Sequence, residues 1–253
     1  MRLPQIPVNK LMRYGLLSAL VAVMVACQMP PTNPFASQSV AEPVSQVASE
    51  PNATASPAEK ALPPQPANTA ASQLVDIRSI NPRIVLDIRY ATPNNFTHRS
   101  LYSQARCLLR AAIAADLSQV QASLEAQGLG LKVYDCYRPL AVQRKMWQLM
   151  PDSRYVANPA VGSRHNRGSA VDVTLVDRTG RELEMPTDFD DFSDRAHLEY
   201  QGGSAQSRRH RQILQQAMNQ QGFISLSTEW WHFDGQNWQQ YQVMDVPLEK
   251  VKA

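Results

Sequence analysis

The chain has 253 residues, with 25 Lys and Arg against 22 Asp and Glu, a formal net charge of +3 and 43% hydrophobic residues. A balance this near neutral, part of it contributed by a cationic N-terminus, excludes the broad electrostatic footprint of a nucleic-acid binder. The one dense basic run, Ser207 to Arg211, opens a helical pattern and reads as a solvated face, so no nucleic-acid partner is expected.

Residues 1–26 read as a signal segment, because Arg2, Lys10 and Arg13 precede an apolar run from Tyr14 to Val25. That run is well short of the roughly 20 residues that span a bilayer as a helix. It ends in "MVAC", where Ala26 stands directly before Cys27, a pattern that resembles the lipobox of bacterial lipoproteins. Lipidation of Cys27 is expected, giving a periplasmic, membrane-anchored protein. Gln28, in place of an aspartate, favours the outer over the inner membrane by resemblance to bacterial sorting rules. Residues 27–73 then form a tether rich in Pro, Ala, Ser and Thr, too poor in bulky aliphatics to order itself.

Residues 74–253 are long enough for one domain with a sizeable core. The alternation in Arg83 to Arg89 predicts a strand, and helical spacing from Cys107 to Gln127 predicts a helix stopped by Gly128. Leu131 to Tyr137 reads as a strand and Leu140 to Met150 as a helix ended by Pro151. Ala170 to Val176 is a β-branched strand, Arg208 to Gln221 a helix closed by Gly222, and Thr228 to Phe233 an aromatic strand. Strands and helices mix without a βαβ rhythm. The expected fold class is α+β, a single domain with a small, mostly antiparallel sheet flanked by helices. Cys107 and Cys136 could join as a disulfide in an exported domain, or stay apart as two buried small hydrophobes.

Chemistry concentrates in two stretches. In "SRHNRGSAVD", Ser163 to Asp172, alternation puts Asp172 on the open face of its strand, and Gly168 lets the preceding loop double back to bring His165 beside it. "TEWWHFD", Thr228 to Asp234, supplies His232 and Glu229; residues three apart on a strand face opposite ways, so a bulge is needed for both to reach one point. A catalytic zinc uses three protein ligands and a nearby carboxylate outside them. His165, Asp172 and His232 provide the three, and Glu229 is left as the base.

These stretches resemble the SxHxxGxAxD and ExxH motifs of the zinc D-Ala-D-Ala metallopeptidases. "RYATPNNFTH", "VYDCYRP" and "DFDDFSD" are similar to signatures of the D-alanyl-D-alanine dipeptidase branch, so the resemblance spans Arg89 to Phe233. It implies one Zn²⁺ per chain held by His165, Asp172 and His232, Glu229 as general base, and Arg138 as the oxyanion-stabilising cation. It also implies a role for Asp191 in receiving the substrate ammonium, helped by Ser163 through hydrogen bonding. The implied activity is hydrolysis of the D-Ala-D-Ala dipeptide in cell-wall peptide turnover. The alternatives are a peptidoglycan stem-peptide carboxypeptidase or endopeptidase, which needs an open groove, and a non-catalytic cell-wall-binding lipoprotein.

Overall fold

Alternating apolar residues, a helical stripe and well-placed turn glycines account for most of the architecture in residues 70–252, which the computed structural model describes. The expected signal segment, Cys27 and the tether up to residue 69 lie outside the described residues. In chain order the elements are β1 (Leu74–Asp76), α1 (Ile77–Ile80), β2 (Val85–Leu86), β3 (Leu108–Arg110), α2 (Ala111–Glu125) and β4 (Leu129–Asp135). They continue with α3 (Leu140–Leu149), β5 (Ala170–Asp177), α4 (Ala205–Gln220), β6 (Ile224–Leu226) and β7 (Glu229–Asp234).

The main sheet has the order β2-β4-β5-β7-β6 and is antiparallel except for the short β2–β4 pair; β1 and β3 form a separate antiparallel pair. The fold is therefore α+β with a small, mostly antiparallel sheet and flanking helices. Helix α2 buries Ile113, Ala114, Leu117, Val120, Gln121 and Leu124, a single stripe at helical spacing. Helix α4 is capped by Ser204, whose hydroxyl accepts from the Ser207 N–H, and buries His210, Leu214, Ala217 and Met218.

Register decides which sheet residues serve the core. Leu131 stands opposite Leu175, Val133 opposite Val173, and Val171 opposite Phe233. These six join Leu117, Leu124, Leu214 and Met218 in one apolar cluster. The opposite face carries Asp135, Asp172 and His232 as a row across three strands.

Three expectations need correction. The strand expected over Arg83 to Arg89 pairs only at Val85–Leu86, and Arg89–Ala91 winds into a 3₁₀ turn. The helix expected from Cys107 begins only at Ala111, because the preceding residues pair with β1 and the Arg110 N–H donates to the Gly168 carbonyl at 2.8 Å. The face carrying Asp172 is covered, not open: Asp172 is 3% exposed and Thr174 fully buried. Phe189 roofs part of it, packing on Tyr134 at 4.8 Å and on Trp231 at 5.4 Å.

Cys107 and Cys136 are joined in a disulfide, with Cα atoms 5.2 Å apart. It ties the start of β3 to the end of β4, directly beside the buried row of polar residues.

Candidate active site

Antiparallel pairing places Asp172 and His232 directly opposite each other on adjacent strands, which brings their side chains together on one face. His165 comes from a 3₁₀ turn, His165–Arg167, that ends at Gly168 with φ 69°. That left-handed conformation suits glycine, and a Cβ there would also stand 2.6 Å from Leu74 Cδ2. The turn is braced at its entry, where the Ser163 N–H donates to Asn166 Oδ1 and the Asn166 N–H donates to Ser163 Oγ.

The three side chains converge. His165 Nε2 lies 3.1 Å from His232 Nδ1 and 3.4 Å from Asp172 Oδ1, and His232 Nδ1 lies 3.0 Å from the same oxygen. Ligand atoms held tetrahedrally about 2.0–2.1 Å from a common centre stand roughly 3.3 Å apart. The two imidazoles and the carboxylate therefore fit one divalent cation. All three residues are buried. The outer ring nitrogens are committed elsewhere, His165 Nδ1 to the Cys136 carbonyl at 2.8 Å and His232 Nε2 to Asp234 Oδ1 at 3.0 Å. This leaves the inner nitrogens for a metal. Burial works against the charged form of Asp172, yet His165 and His232 together hold its carboxyl well below the usual carboxylate range.

Glu229 stands at the start of β7, its Oε2 4.0 Å from His232 Nδ1. The bulge needed to bring both to one place is present. Ser225 pairs with Phe233 while Leu226 pairs with Glu229, so β7 gains extra length against β6 between these positions. Burial raises the Glu229 carboxyl; His232 opposes the shift and Asp172 adds to it. Trp231 walls the cavity beside Glu229, and Trp230 donates its indole N–H to Thr187.

Arg138 faces the same space from the end of β4. Its Nε and Nη2 donate to Asp135 Oδ2 at 3.1 and 2.7 Å, its Nη1 donates to Gln143 Oε1 at 2.8 Å, and its guanidinium lies over the Tyr90 ring. The guanidinium is thus ion-paired with Asp135, and it lines the cavity as well. Ser163 also lines it. The cavity is small, about 120 Å³.

Asp191 is not among the lining residues; its Oδ1 accepts from the Ser193 N–H in a local turn. The neighbouring Asp190 occupies that place instead. Its carboxylate accepts from Tyr90 Oη at 3.0 and 3.2 Å and from the Phe96 N–H at 3.2 Å. Burial lifts its pKa to about 7, with the Asp172 charge adding to the shift and the Phe96 N–H and Tyr90 hydroxyl opposing it. Within "DFDDFSD" loop spacing assigns no face, so adjacent aspartates cannot be told apart from the sequence. Asp190 takes a left-handed conformation, φ 62°, that turns it inward. Tyr90 and Asp234 are further residues at the site that motif reading passed over. The one signal for Asp234 is its two-residue spacing from His232, which puts both on one face of β7.

A buried His/Asp/His cluster, a free acid beside it and a guanidinium across a small cavity, all on an α+β domain, define a metallopeptidase. The chain belongs to the D-Ala-D-Ala dipeptidase family of the M15 peptidases, whose profile matches residues 70–248. It is similar to the D-alanyl-D-alanine dipeptidase of Escherichia coli K12, 38% identical over 163 residues, which cover 64% of this chain and 84% of the relative. It is also similar to proteins of the same name from Enterococcus faecalis, 31% identical over 168 residues, and Enterococcus faecium, 32% over 171. Each of these alignments covers 58% of this chain and 83% of the relative.

Proposed function

We propose that this chain hydrolyses the D-Ala-D-Ala dipeptide to free D-alanine, using one zinc ion held by His165, Asp172 and His232. The observation that carries this reading is the convergence of those three donor atoms at 3.0–3.4 Å, beside a Glu229 carboxyl that is left free. A zinc ion held there supplies Lewis-acid activation of water and of the scissile carbonyl. Glu229 takes the proton from the attacking water and returns it to the leaving amine. Burial suits it to both halves, since a raised pKa eases proton uptake. Arg138, fixed by Asp135 and Gln143, stabilises the negative charge that develops on the carbonyl oxygen, an effect of about 3 kcal/mol for a single donor.

Substrate size follows from the cavity. About 120 Å³ walled by Tyr90, Phe96, Phe192 and Trp231 suits a short peptide, not a stem peptide lying in a groove. Asp190 receives the ammonium of the dipeptide, in the role first expected of Asp191, and the hydroxyl hydrogen of Ser163 remains for the substrate because its oxygen already accepts from Asn166. The protein supplied with D-Ala-D-Ala and, separately, with a stem pentapeptide should release D-alanine from the dipeptide, in proportion to bound zinc. Cleavage of the pentapeptide alone would overturn the dipeptidase reading in favour of a carboxypeptidase or endopeptidase. Zinc uptake without turnover of either would favour a binder.

The same proposal extends to location: residues 1–26 direct export, and Cys27 carries lipid that holds the domain on the periplasmic side of the outer membrane. The support is the "MVAC" sequence with Gln28 after it. A dipeptidase so placed acts on D-Ala-D-Ala outside the inner membrane, in turnover or scavenging of cell-wall fragments. Labelled palmitate should enter the wild-type protein and not Cys27→Ser; equal labelling of both removes the anchor.

A further inference from the structure

His232 offers Nδ1, the ring nitrogen nearer the backbone, to the cluster: Nδ1 is 3.1 Å from His165 Nε2 and 3.0 Å from Asp172 Oδ1. An imidazole that must present this nitrogen needs its other nitrogen pinned, or the ring can turn over and offer a carbon instead. The pin is visible. Asp234 lies two residues further along β7, on the same face, and its Oδ1 is 3.0 Å from His232 Nε2. Its cross-strand partners are Ala170 on β5 and Ile224 on β6, so the carboxylate sits between two strands at the end of the row.

Asp234 is itself held. Its other oxygen lies 3.4 Å from Arg164 Nε, a buried nitrogen with no hydrogen-bond partner among the described residues, and the Arg164 guanidinium sits 4.8 Å over the Trp238 ring. Arg164 directly precedes His165, so one short segment delivers a metal-facing imidazole on one side and a clamp for the other imidazole's support on the other. Asp234 is 5% exposed and is not among the residues that line the cavity.

We propose that Asp234, clamped by Arg164 stacked on Trp238, is a positioning residue that fixes the His232 ring with Nε2 protonated and Nδ1 toward the metal. The inference rests on the zinc-site reading above. It makes the supporting charge, and not the three ligands alone, a determinant of metal affinity in this chain. Carboxylates that orient a ligating histidine typically change metal affinity by about 10–100-fold when removed.

The test measures zinc affinity by competition with a chromogenic chelator on the whole protein, for wild type, Asp234→Ala, Asp234→Asn and Arg164→Gln. Asp234→Ala should weaken zinc binding about 10–100-fold. Asp234→Asn should recover part of that loss, since its amide oxygen still accepts from Nε2–H, and Arg164→Gln should show a smaller loss in the same direction. An independent readout needs no variant: nitrogen NMR of histidine-labelled, zinc-loaded wild type should show His232 protonated at Nε2 and metal-shifted at Nδ1. Equal zinc affinity in wild type and Asp234→Ala overturns the inference and leaves the zinc site standing, as does a His232 metallated at Nε2. If Asp234→Ala does not fold, Asp234→Asn and the NMR measurement decide. A wild-type protein that takes up no zinc removes the proposed function itself, a result distinct from both.

Discussion

Replacing Arg138 with alanine separates two effects that the structure ties together. Asp135 is fully buried, and Arg138 meets it with Nε and Nη2 at 3.1 and 2.7 Å. Without the guanidinium, the carboxylate keeps the hydrogen bonds from the Tyr102 hydroxyl at 2.6 Å and the Cys136 N–H at 2.9 Å, with His165 Nδ1 3.6 Å away. Removing one partner of a buried ion pair costs about 3–5 kcal/mol, because the other charge stays buried without compensation. That is a large part of the roughly 5–15 kcal/mol that holds a domain folded. Loss of an oxyanion donor is a separate deficit, about 10²–10³ in kcat. The two come apart when Asp135→Asn is added: the amide oxygen can still accept from Tyr102 and Cys136, so the double variant should regain stability while kcat stays low. The assay is release of D-alanine at 25 °C per zinc-loaded protein, with thermal unfolding followed in parallel. Arg138→Ala with zinc retained and kcat within about twofold of wild type would refute the oxyanion role, since one such donor accounts for at least about 10². Recovery of kcat along with stability in the double variant would refute it equally, by showing that the deficit came from misfolding.

Glu229→Gln should keep the metal and lose about 10²–10⁴ in kcat, the span of general acid–base catalysis; an enzyme of near-normal rate would remove Glu229 from the proton transfers. Asp190, with a folded pKa of about 7 against an ordinary value near 4, binds its proton more tightly in the folded state. Its contribution to stability is therefore present at low pH and lost as pH rises from about 4 to 7, whereas ammonium binding requires the ionised form. KM for D-Ala-D-Ala should thus rise as pH falls below about 7, and Asp190→Asn should raise KM and flatten that dependence; an unchanged profile would move the ammonium elsewhere. Reduction of Cys107–Cys136, which closes a loop of 29 residues in sequence separation, should cost roughly 3–4 kcal/mol, read as a lower thermal midpoint. Because the Cys136 carbonyl accepts from His165, reduction should also weaken zinc binding, and a reduced protein equal to the oxidised one on both counts would show the bridge to be idle.

The ligand set could be read from residue types and order. His165, Asp172, Glu229 and His232 stand in "SRHNRGSAVD" and "TEWWHFD", and the need for a bulge between Glu229 and His232 follows from strand alternation alone. Helices α3 and α4 followed their apolar period and turn residues closely. The same reasoning overran at Cys107 to Arg110, where local helical spacing yields to pairing with β1, a partner thirty-odd residues earlier in sequence that no local pattern reveals. It also left Asp172 on an open face, because the covering residues come from a distant loop that carries Phe189.

What the sequence by itself determined is which chemical groups are present and in what order, since hydrophobic periodicity, glycine turns and ligand-bearing residue types are local properties. Only the tertiary structure decided which aspartate of an adjacent pair faces inward, that the two cysteines meet, and that Asp135, Asp172 and His232 fall in one row. Those outcomes depend on strand register and on a single left-handed residue, Asp190. A one-residue change in register would send Asp172 to the core and Val173 to the metal, and register is set by the whole packed sheet.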